Sequence, residues 1–347
     1  MTLATTCRRL LTPAATALRR YYSPISDSPR NRVAILGACG GLGQPLSLIM
    51  KRSEYIAELA LYDKLDTAGL CADLSHISTK AAIKGYQGSD QLGDCLTGCS
   101  VVLMIAGIRR QPGMHRDSLF QQNATIVAEL TDAVAKHCPK AQLCILTNPI
   151  NSNVPLAAEI LKHRGVHDPR RLYGITTVDS VRADVVYAKL TGHPLDKVSV
   201  PVLGGHSGHS LVPAFSQAQP ASRLSPEDVR RLTEYVRGAA DAIVAVKAGG
   251  GSATLSVAAA AHRFVNSVLL ALDGRQNIIE SAFVESDAMP DLPFFSCPLL
   301  LGQNGVERNL GVGQLSEYEA ELMKAAVAEL RVQIEKGQEF GLAWAKR

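Results

Sequence analysis

The chain has 347 residues, 46% hydrophobic and 20% charged, with a formal net charge of +4. That is the balance of an ordinary globular protein with enough apolar material for two domains or one large α/β domain, and no uninterrupted apolar run reaches the about 18 residues that suggest a membrane span. Arg8, Arg9, Arg19 and Arg20 supply the excess positive charge, which leaves the remainder near neutral and without the basic face that a nucleic-acid binder needs.

Residues 1–26 contain no Asp or Glu, and 1–22 are rich in Arg, Thr and Ala, the composition of an organelle transit peptide. The run RRYYS puts Arg20 three residues before a cut between Tyr22 and Ser23, which points to the mitochondrial matrix. A peroxisomal or glyoxysomal address ranks second. Arg9-Leu10 opens such a signal, but Thr16 stands where His or Gln is required, and the C-terminal AKR fits the SKL-type address poorly. Residues 23–30 read as a flexible segment leading into the folded chain.

From residue 31 short apolar runs alternate with helical periodicity. NRVAILGA reads as a strand buried on both faces, followed by QPLSLIMKRS as a helix. AELALYD, CSVVLMIAG and AQLCILTNP are further buried strands, with DSLFQQNATIVAELTDAVAKHC a long helix between the last two. This β-α alternation predicts an α/β protein with an N-terminal Rossmann sheet, doubly wound and parallel, over 31–174. From 175 to 347 the texture is that of a C-terminal α+β catalytic domain. TVDSVRADVVYAKLTG, SPEDVRRLTEYVRGAADAIVAVKAG and SATLSVAAAAHRFVNSVLLALDG are helical; KVSVPVL is a β-type run. NIIESAFVES and FFSCPLLLGQNGVERNLG form a meander, and LSEYEAELMKAAVAELRVQIEKGQEF closes the chain as an amphipathic helix with Ser316 as its cap. The eight cysteines (7, 39, 71, 95, 99, 138, 144 and 297) form no C-x-x-C pair, no histidine cluster has zinc spacing, and several cysteines lie in apolar runs. They read as buried free thiols of a reducing compartment, and no metal is expected.

The chemistry gathers at the ends of the parallel strands, the edge where such sheets bind ligands. GACGGLGQP follows the first strand and opens a helix, with Gly37, Gly40 and Gly43 spaced G-x-x-G-x-x-G. Such a loop permits a tight turn and close backbone approach to a pyrophosphate, with helix N–H groups aimed at the phosphates. Gly37, Ala38, Cys39, Gly40, Gly41, Leu42 and Gly43 are therefore the expected cofactor cradle. Asp63, twenty residues past Gly43 at the end of the second strand, would accept hydrogen bonds from both ribose hydroxyls and repel a 2′-phosphate, which favours NAD over NADP. IRRQPGMHRDSLF brings Arg109, Arg110 and Arg116 to the same edge, and LTNPINSN brings Asn148, whose amide could donate to a substrate oxygen or to the ribose. Asp179 and Arg182, three apart on a helix, form either an intrahelical ion pair or two separate contacts, Asp179 to a histidine and Arg182 to an anion. In GGHSGHS, either His206 or His209 could move a proton.

In order and spacing, GACGGLGQPLSL, LYD, ADLSHI, RRQPGMHRDSLF, LTNPIN, TTVDSVRAD, VPVLGGHSGHS and GGGSATLS resemble the malate dehydrogenases of the mitochondrial and glyoxysomal type, within the lactate/malate dehydrogenase superfamily. The resemblance runs from about residue 31 to 347. It implies that His206 is the proton acceptor and donor, Asp179 its orienting acid, and His209 a structural residue. Arg182 would clamp the carboxylate beside the reacting carbon, Arg110 the distal carboxylate, and Arg116 the carbonyl of oxaloacetate, while Arg109 has no assigned role. Asn123, Leu146, Thr147, Asn148 and Val257 would contact NAD, Val257 standing where the family often carries Met. A dicarboxylate substrate (malate or oxaloacetate) and a homodimer are implied, with no nucleic-acid or membrane partner. A lactate dehydrogenase commonly carries Gln where Arg110 stands. An NAD-dependent glycosidase would need a Cys/His metal set in the second domain, and a non-catalytic NAD-binding scaffold would not need the full His-Asp-Arg set. The chloroplast NADP type adds terminal cysteines for redox control, whereas the last cysteine here is Cys297.

Overall fold

A computed structural model describes residues 30–108, 116–248 and 250–347, with the backbone alone at 116–117. Strands β1 (Asn31–Leu36), β2 (Ile56–Asp63), β3 (Ala82–Gln87), β4 (Val101–Met104), β5 (Gln142–Ile145) and β6 (Leu172–Ile175) lie parallel in the order β3-β2-β1-β4-β5-β6. The chain winds outward from β1 in one direction and from β4 in the other, so the crevice beyond the ends of β1 and β4 is where a ligand can enter between the loops. The connecting helices are α1 (Gly43–Lys51), α2 (Ala68–Ser75), α3 (Gly88–Leu96), α4 (Arg116–His137) and α5 (Ile150–His163). The expected N-terminal architecture is present, with two strands the sequence pattern does not announce. β3 is an edge strand whose side chains are largely exposed, and β6 is only four residues long, so neither carries a distinct hydrophobic period.

The second half continues the same sheet with opposite polarity. β9 (Ile278–Met289) pairs antiparallel to β6 through Gly174 and Phe283, and β10 (Leu292–Gly302) and β11 (Gly305–Asn309) complete the expected meander. β7 (Val202–Gly204) meets β10 at Ser296 and turns back as β8 (Leu211–Pro213). The β-type run KVSVPVL yields only the short β7. Pro201 lacks an N–H, and upstream of it pairing is reduced to a single bridge between Ser199 and Gln219. Helices α6 (Thr177–Thr191), α7 (Pro226–Val246), α8 (Leu255–Leu272) and α9 (Glu317–Ala345) enclose this half.

By length and composition α8 is apolar enough to cross a membrane. Here it is a core helix, packing on α1, α6, β9 and β10 with Ala261, Phe264 and Val265 fully buried. Ser316 caps α9 as expected: its hydroxyl accepts the Glu319 N–H at 3.3 Å, and the Glu319 carboxylate accepts the Ser316 N–H at 2.8 Å. α9 lies directly against α5. A Cβ on Gly337 would meet the Ser152 carbonyl oxygen at 2.0 Å, and one on Gly341 the Leu156 oxygen at 2.5 Å, so only glycine allows this backbone contact.

Among the described residues the seven cysteines are all free, five of them buried, and burial pushes the Cys99 thiol up to about 11 and the Cys138 and Cys297 thiols up to about 12. Asp184 on α6 is a buried carboxylate. It accepts the Val200 N–H at 2.7 Å and stands 3.7 Å from the Arg263 guanidinium. Burial raises its pKa from 3.8 to about 6 against the pull of those two partners. A carboxyl whose folded pKa is raised contributes its stability below pH 3.8 and loses it as pH rises through about 6. Asp184→Asn keeps the Val200 bond and removes the ionisation. Its stability relative to the parent should therefore grow by up to roughly 3 kcal/mol between pH 4 and 7 in denaturant titrations; a difference that stays flat with pH contradicts the assignment.

Candidate active site

A cavity of about 670 Å³ opens at the strand ends between the two halves, lined on one side by Gly37, Gly40–Gly43 and Asp63 and on the other by Arg182 and His206. The glycine loop is built by close approach. Gly37 has φ +102°, and a Cβ there would lie 2.7 Å from the Ala106 backbone. A Cβ on Gly43 would lie 2.3 Å from the carbonyl oxygens of both Gly37 and Ala38. Gly37 and Ala38 donate their N–H groups to the Tyr62 carbonyl at 2.8 and 3.0 Å, which ties the loop to the end of β2. The first turn of α1 thus faces the cavity with the N–H end of its dipole, a surface suited to phosphate.

Asp63 sits at the cavity wall and also holds the loop: it accepts the Cys39 N–H at 2.9 Å and the Leu65 N–H at 3.1 Å, one on each oxygen. Each oxygen keeps a lone pair for a further donor, as ribose hydroxyls would require. Ala38 is buried beneath the loop, and Cys39 is half-buried, its thiol 3.5 Å from the Asp66 carbonyl; neither lines the cavity.

Opposite the loop, Leu146, Thr147 and Asn148 follow β5 into the cavity wall. Asn148 is exposed there, and Thr147 donates to the Ala106 carbonyl at 2.7 Å. Asn123 lines the cavity too, but its amide works on the protein. Its oxygen accepts the Ile108 N–H at 2.8 Å, and its nitrogen donates to the Asn148 carbonyl at 2.7 Å, clamping the strand ends of β4 and β5 together. Val257, on α8, closes another part of the wall. Arg109 and Arg110 lie outside the described residues, and Arg116 is placed only as the backbone start of α4.

The Asp179–Arg182 ion pair and the contact of Asp179 with a histidine are both present. Asp179, on the first turn of α6 and 1% exposed, has one oxygen 2.5 Å from His206 Nδ1, while the other accepts from Arg182 Nη1 at 3.2 Å. A carboxylate this buried needs such partners. A carboxylate only accepts, so Asp179 holds the Nδ1–H of the ring and directs Nε2 away from itself, on a side chain that lines the cavity. Arg182 keeps further N–H groups at the same wall. His209 is exposed and absent from the cavity lining that His206 joins.

One residue of this site is not recognisable in the sequence. Asn151, in the first turn of α5 and 1% exposed, accepts the His206 backbone N–H on its Oδ1 at 2.9 Å. It lies three residues beyond Asn148 in the same LTNPINSN stretch, and its period with Val154 makes it read as part of an ordinary helix face.

Residues 31–174 match the lactate/malate dehydrogenase NAD binding domain, and residues 176–341 match the lactate/malate dehydrogenase alpha/beta C-terminal domain. The chain is 49% identical to the protein named malate dehydrogenase, mitochondrial, of Sus scrofa over 331 residues, covering 95% of this chain and 97% of that one. It is 47% identical to the Homo sapiens protein of the same name over the same shares. Its fold is similar to that of Cryptosporidium parvum malate dehydrogenase, with a TM-score of 0.78 and 22% identity over 89% of this chain and 99% of that one. It is also similar to Cryptosporidium parvum lactate dehydrogenase complexed with lactic acid and nicotinamide adenine dinucleotide, with a TM-score of 0.75 and 22% identity over 88% and 97%.

Gly43→Ala tests the cradle. Overpacking of this kind costs about 1–3 kcal/mol; falling on the loop that meets the cofactor, it should weaken NADH binding by about 5- to 150-fold in a fluorescence titration. Unchanged affinity in a folded variant would mean that the loop is not where the cofactor sits.

Proposed function

The chain belongs to the lactate/malate dehydrogenase family, and from that premise we propose how its cavity works. The protein is an NAD-dependent oxidoreductase that interconverts malate and oxaloacetate. The observation that carries the residue assignment is the 2.5 Å contact between Asp179 and His206 Nδ1 at the wall of the cavity that the glycine loop also lines. NAD, when bound, supplies the hydride acceptor, and NADH the donor. The cradle fits it: the N–H groups of Gly41, Leu42 and Gly43 at the start of α1 take the pyrophosphate, those of Gly37, Ala38 and Cys39 being spent on shaping the loop, and Asp63 takes the ribose hydroxyls. Ala38, Cys39 and Leu42 belong to this loop, and Leu146, Thr147, Asn148 and Val257 complete the nicotinamide side. Asn123 supports the cofactor by holding that side in shape.

His206 Nε2 accepts the hydroxyl proton of malate in oxidation and returns it to the carbonyl oxygen in reduction. Asp179 stabilises the imidazolium that forms in oxidation and keeps the ring in one tautomer. Arg182 grips the carboxylate beside the reacting carbon through a two-pronged contact. Arg110 takes the distal carboxylate and Arg116 polarises the carbonyl, both on the strength of the sequence motif; with three guanidinium groups the site selects a dicarboxylate over lactate. Water excluded from around the bound acid strengthens all of these charge contacts.

We also propose that residues 1–22 are removed on import into the mitochondrial matrix, that the domain division falls near 174/175, and that the protein is a homodimer. The first reading is supported by the acid-free, arginine-bearing leader and by the mitochondrial relatives. The homodimer is what the family resemblance implies.

NADH consumption with oxaloacetate is the direct assay. His206→Asn should keep NADH binding and lose turnover by a factor of about 10²–10⁴; retained activity refutes the proton-transfer role. Arg110→Gln should weaken oxaloacetate reduction while relatively favouring pyruvate. Equal loss on both substrates removes Arg110 from the distal-carboxylate site.

A further inference from the structure

His206 is held at two points, and the proposed mechanism uses only one of them. The ring is fixed by Asp179; the backbone N–H of the same residue is fixed by Asn151 Oδ1 at 2.9 Å. Asn151 has little freedom to do otherwise. Its Nδ2 faces Gln333 Oε1 at 2.7 Å, with Ser210 Oγ at 3.2 Å and Ser207 Oγ at 3.3 Å. Turning the amide over would set its N–H groups against the His206 N–H and its oxygen against the Gln333 oxygen, so the partners dictate one orientation.

Each of those partners is itself held. Gln333 donates from Nε2 to Glu329 Oε1 at 2.8 Å, and Ser207 Oγ donates to the same oxygen at 3.2 Å. The Ser207 and Ser210 side chains also cap the short turn 208–210, with the Ser207 N–H donating to Ser210 Oγ at 3.0 Å. Gly205 completes the arrangement. A Cβ there would lie 2.6 Å from Asn151 Nδ2, so the histidine loop can rest on the amide only because residue 205 has no side chain. The Gly337 and Gly341 contacts bring α9 close enough to α5 for Gln333 to reach Asn151 at all.

We propose that Asn151 is a positioning residue for proton transfer: it fixes where the His206 backbone stands above the substrate, and the carboxamide–Gln333–Glu329 chain on α9 fixes Asn151. With the ring tethered at Nδ1 alone, His206 could pivot about that contact, and Nε2 would leave the line to the reacting oxygen. Displacement of about 1 Å in such a geometry costs about 10²-fold in rate. The inference rests on the proposed malate dehydrogenase reading of the same site.

The test is turnover per NADH-binding site, counted by fluorescence titration, for Asn151→Ala in the full chain with oxaloacetate. Asn151→Ala should lose about 10- to 100-fold in kcat, with the NADH dissociation constant within about twofold of the parent. A merely structural role would lower the number of binding sites and the melting temperature but not the turnover of the sites that remain. The inference is overturned if Asn151→Ala keeps per-site turnover within about threefold of the parent. Should Asn151→Ala not fold, Gln333→Leu decides. A smaller loss of kcat at unchanged NADH affinity supports the chain of contacts, and parental kcat overturns it. An unmutated chain that does not oxidise NADH with oxaloacetate removes the functional reading and this inference together, whereas a fast Asn151→Ala variant of an active enzyme removes this inference alone.

Discussion

A carboxylate withdrawn almost wholly from water is the constraint around which the second half of the protein is arranged. Asp179 is 1% exposed, and an ionised group in that position is tolerated only with charge or hydrogen bonds close by. His206 and Arg182 meet that need at 2.5 and 3.2 Å, and each is thereby placed at the cavity wall. Stability and chemistry therefore share one requirement. The same contact that makes the buried acid acceptable orients the imidazole at the cavity wall.

The sheet explains how residues so far apart in sequence come together. β6 ends where α6 begins, so Asp179 is delivered to the strand-end crevice by the parallel half. β7 reaches the sheet from the opposite direction through β10, and Gly204, with φ +94°, turns the chain toward His206. The loop beyond is gripped from α5 by Asn151 and from α7 by Arg237, which donates to the carbonyls of Leu211 and His209 at 2.7 and 3.1 Å. The glycine loop is set by different means, through backbone contacts that admit no side chain at Gly37 or Gly43.

Much of this arrangement is legible in the order of the amino acids. Buried parallel strands carry unbroken apolar runs, so β1, β2, β4 and β5 stand out, and Ser316 with Glu319 marks the start of α9 by chemistry that is local in sequence. The glycine loop is also readable from its spacing, and motif order singles out His206, the one of the two histidines that lines the cavity. What stays hidden is whatever depends on distant partners. β3 is defined by its pairing with β2 and not by its own pattern, and Asn151 looks like any helical asparagine until the loop at 205–210 folds over it. The dual duty of Asp63 and Asn123, each holding backbone as well as facing the cavity, is likewise a property of three-dimensional neighbours.

The central claim is that a buried aspartate holds one imidazole in place to exchange a proton with a dicarboxylic acid beside the nicotinamide. A crystal structure of the complex with NADH and an unreactive dicarboxylate analogue measures it most directly. The account predicts His206 Nε2 within about 3 Å of the analogue's reacting oxygen, Nδ1 still on Asp179, and Arg182 on the adjacent carboxylate. An analogue bound with its oxygen away from His206, or a ring detached from Asp179 in the complex, would contradict it.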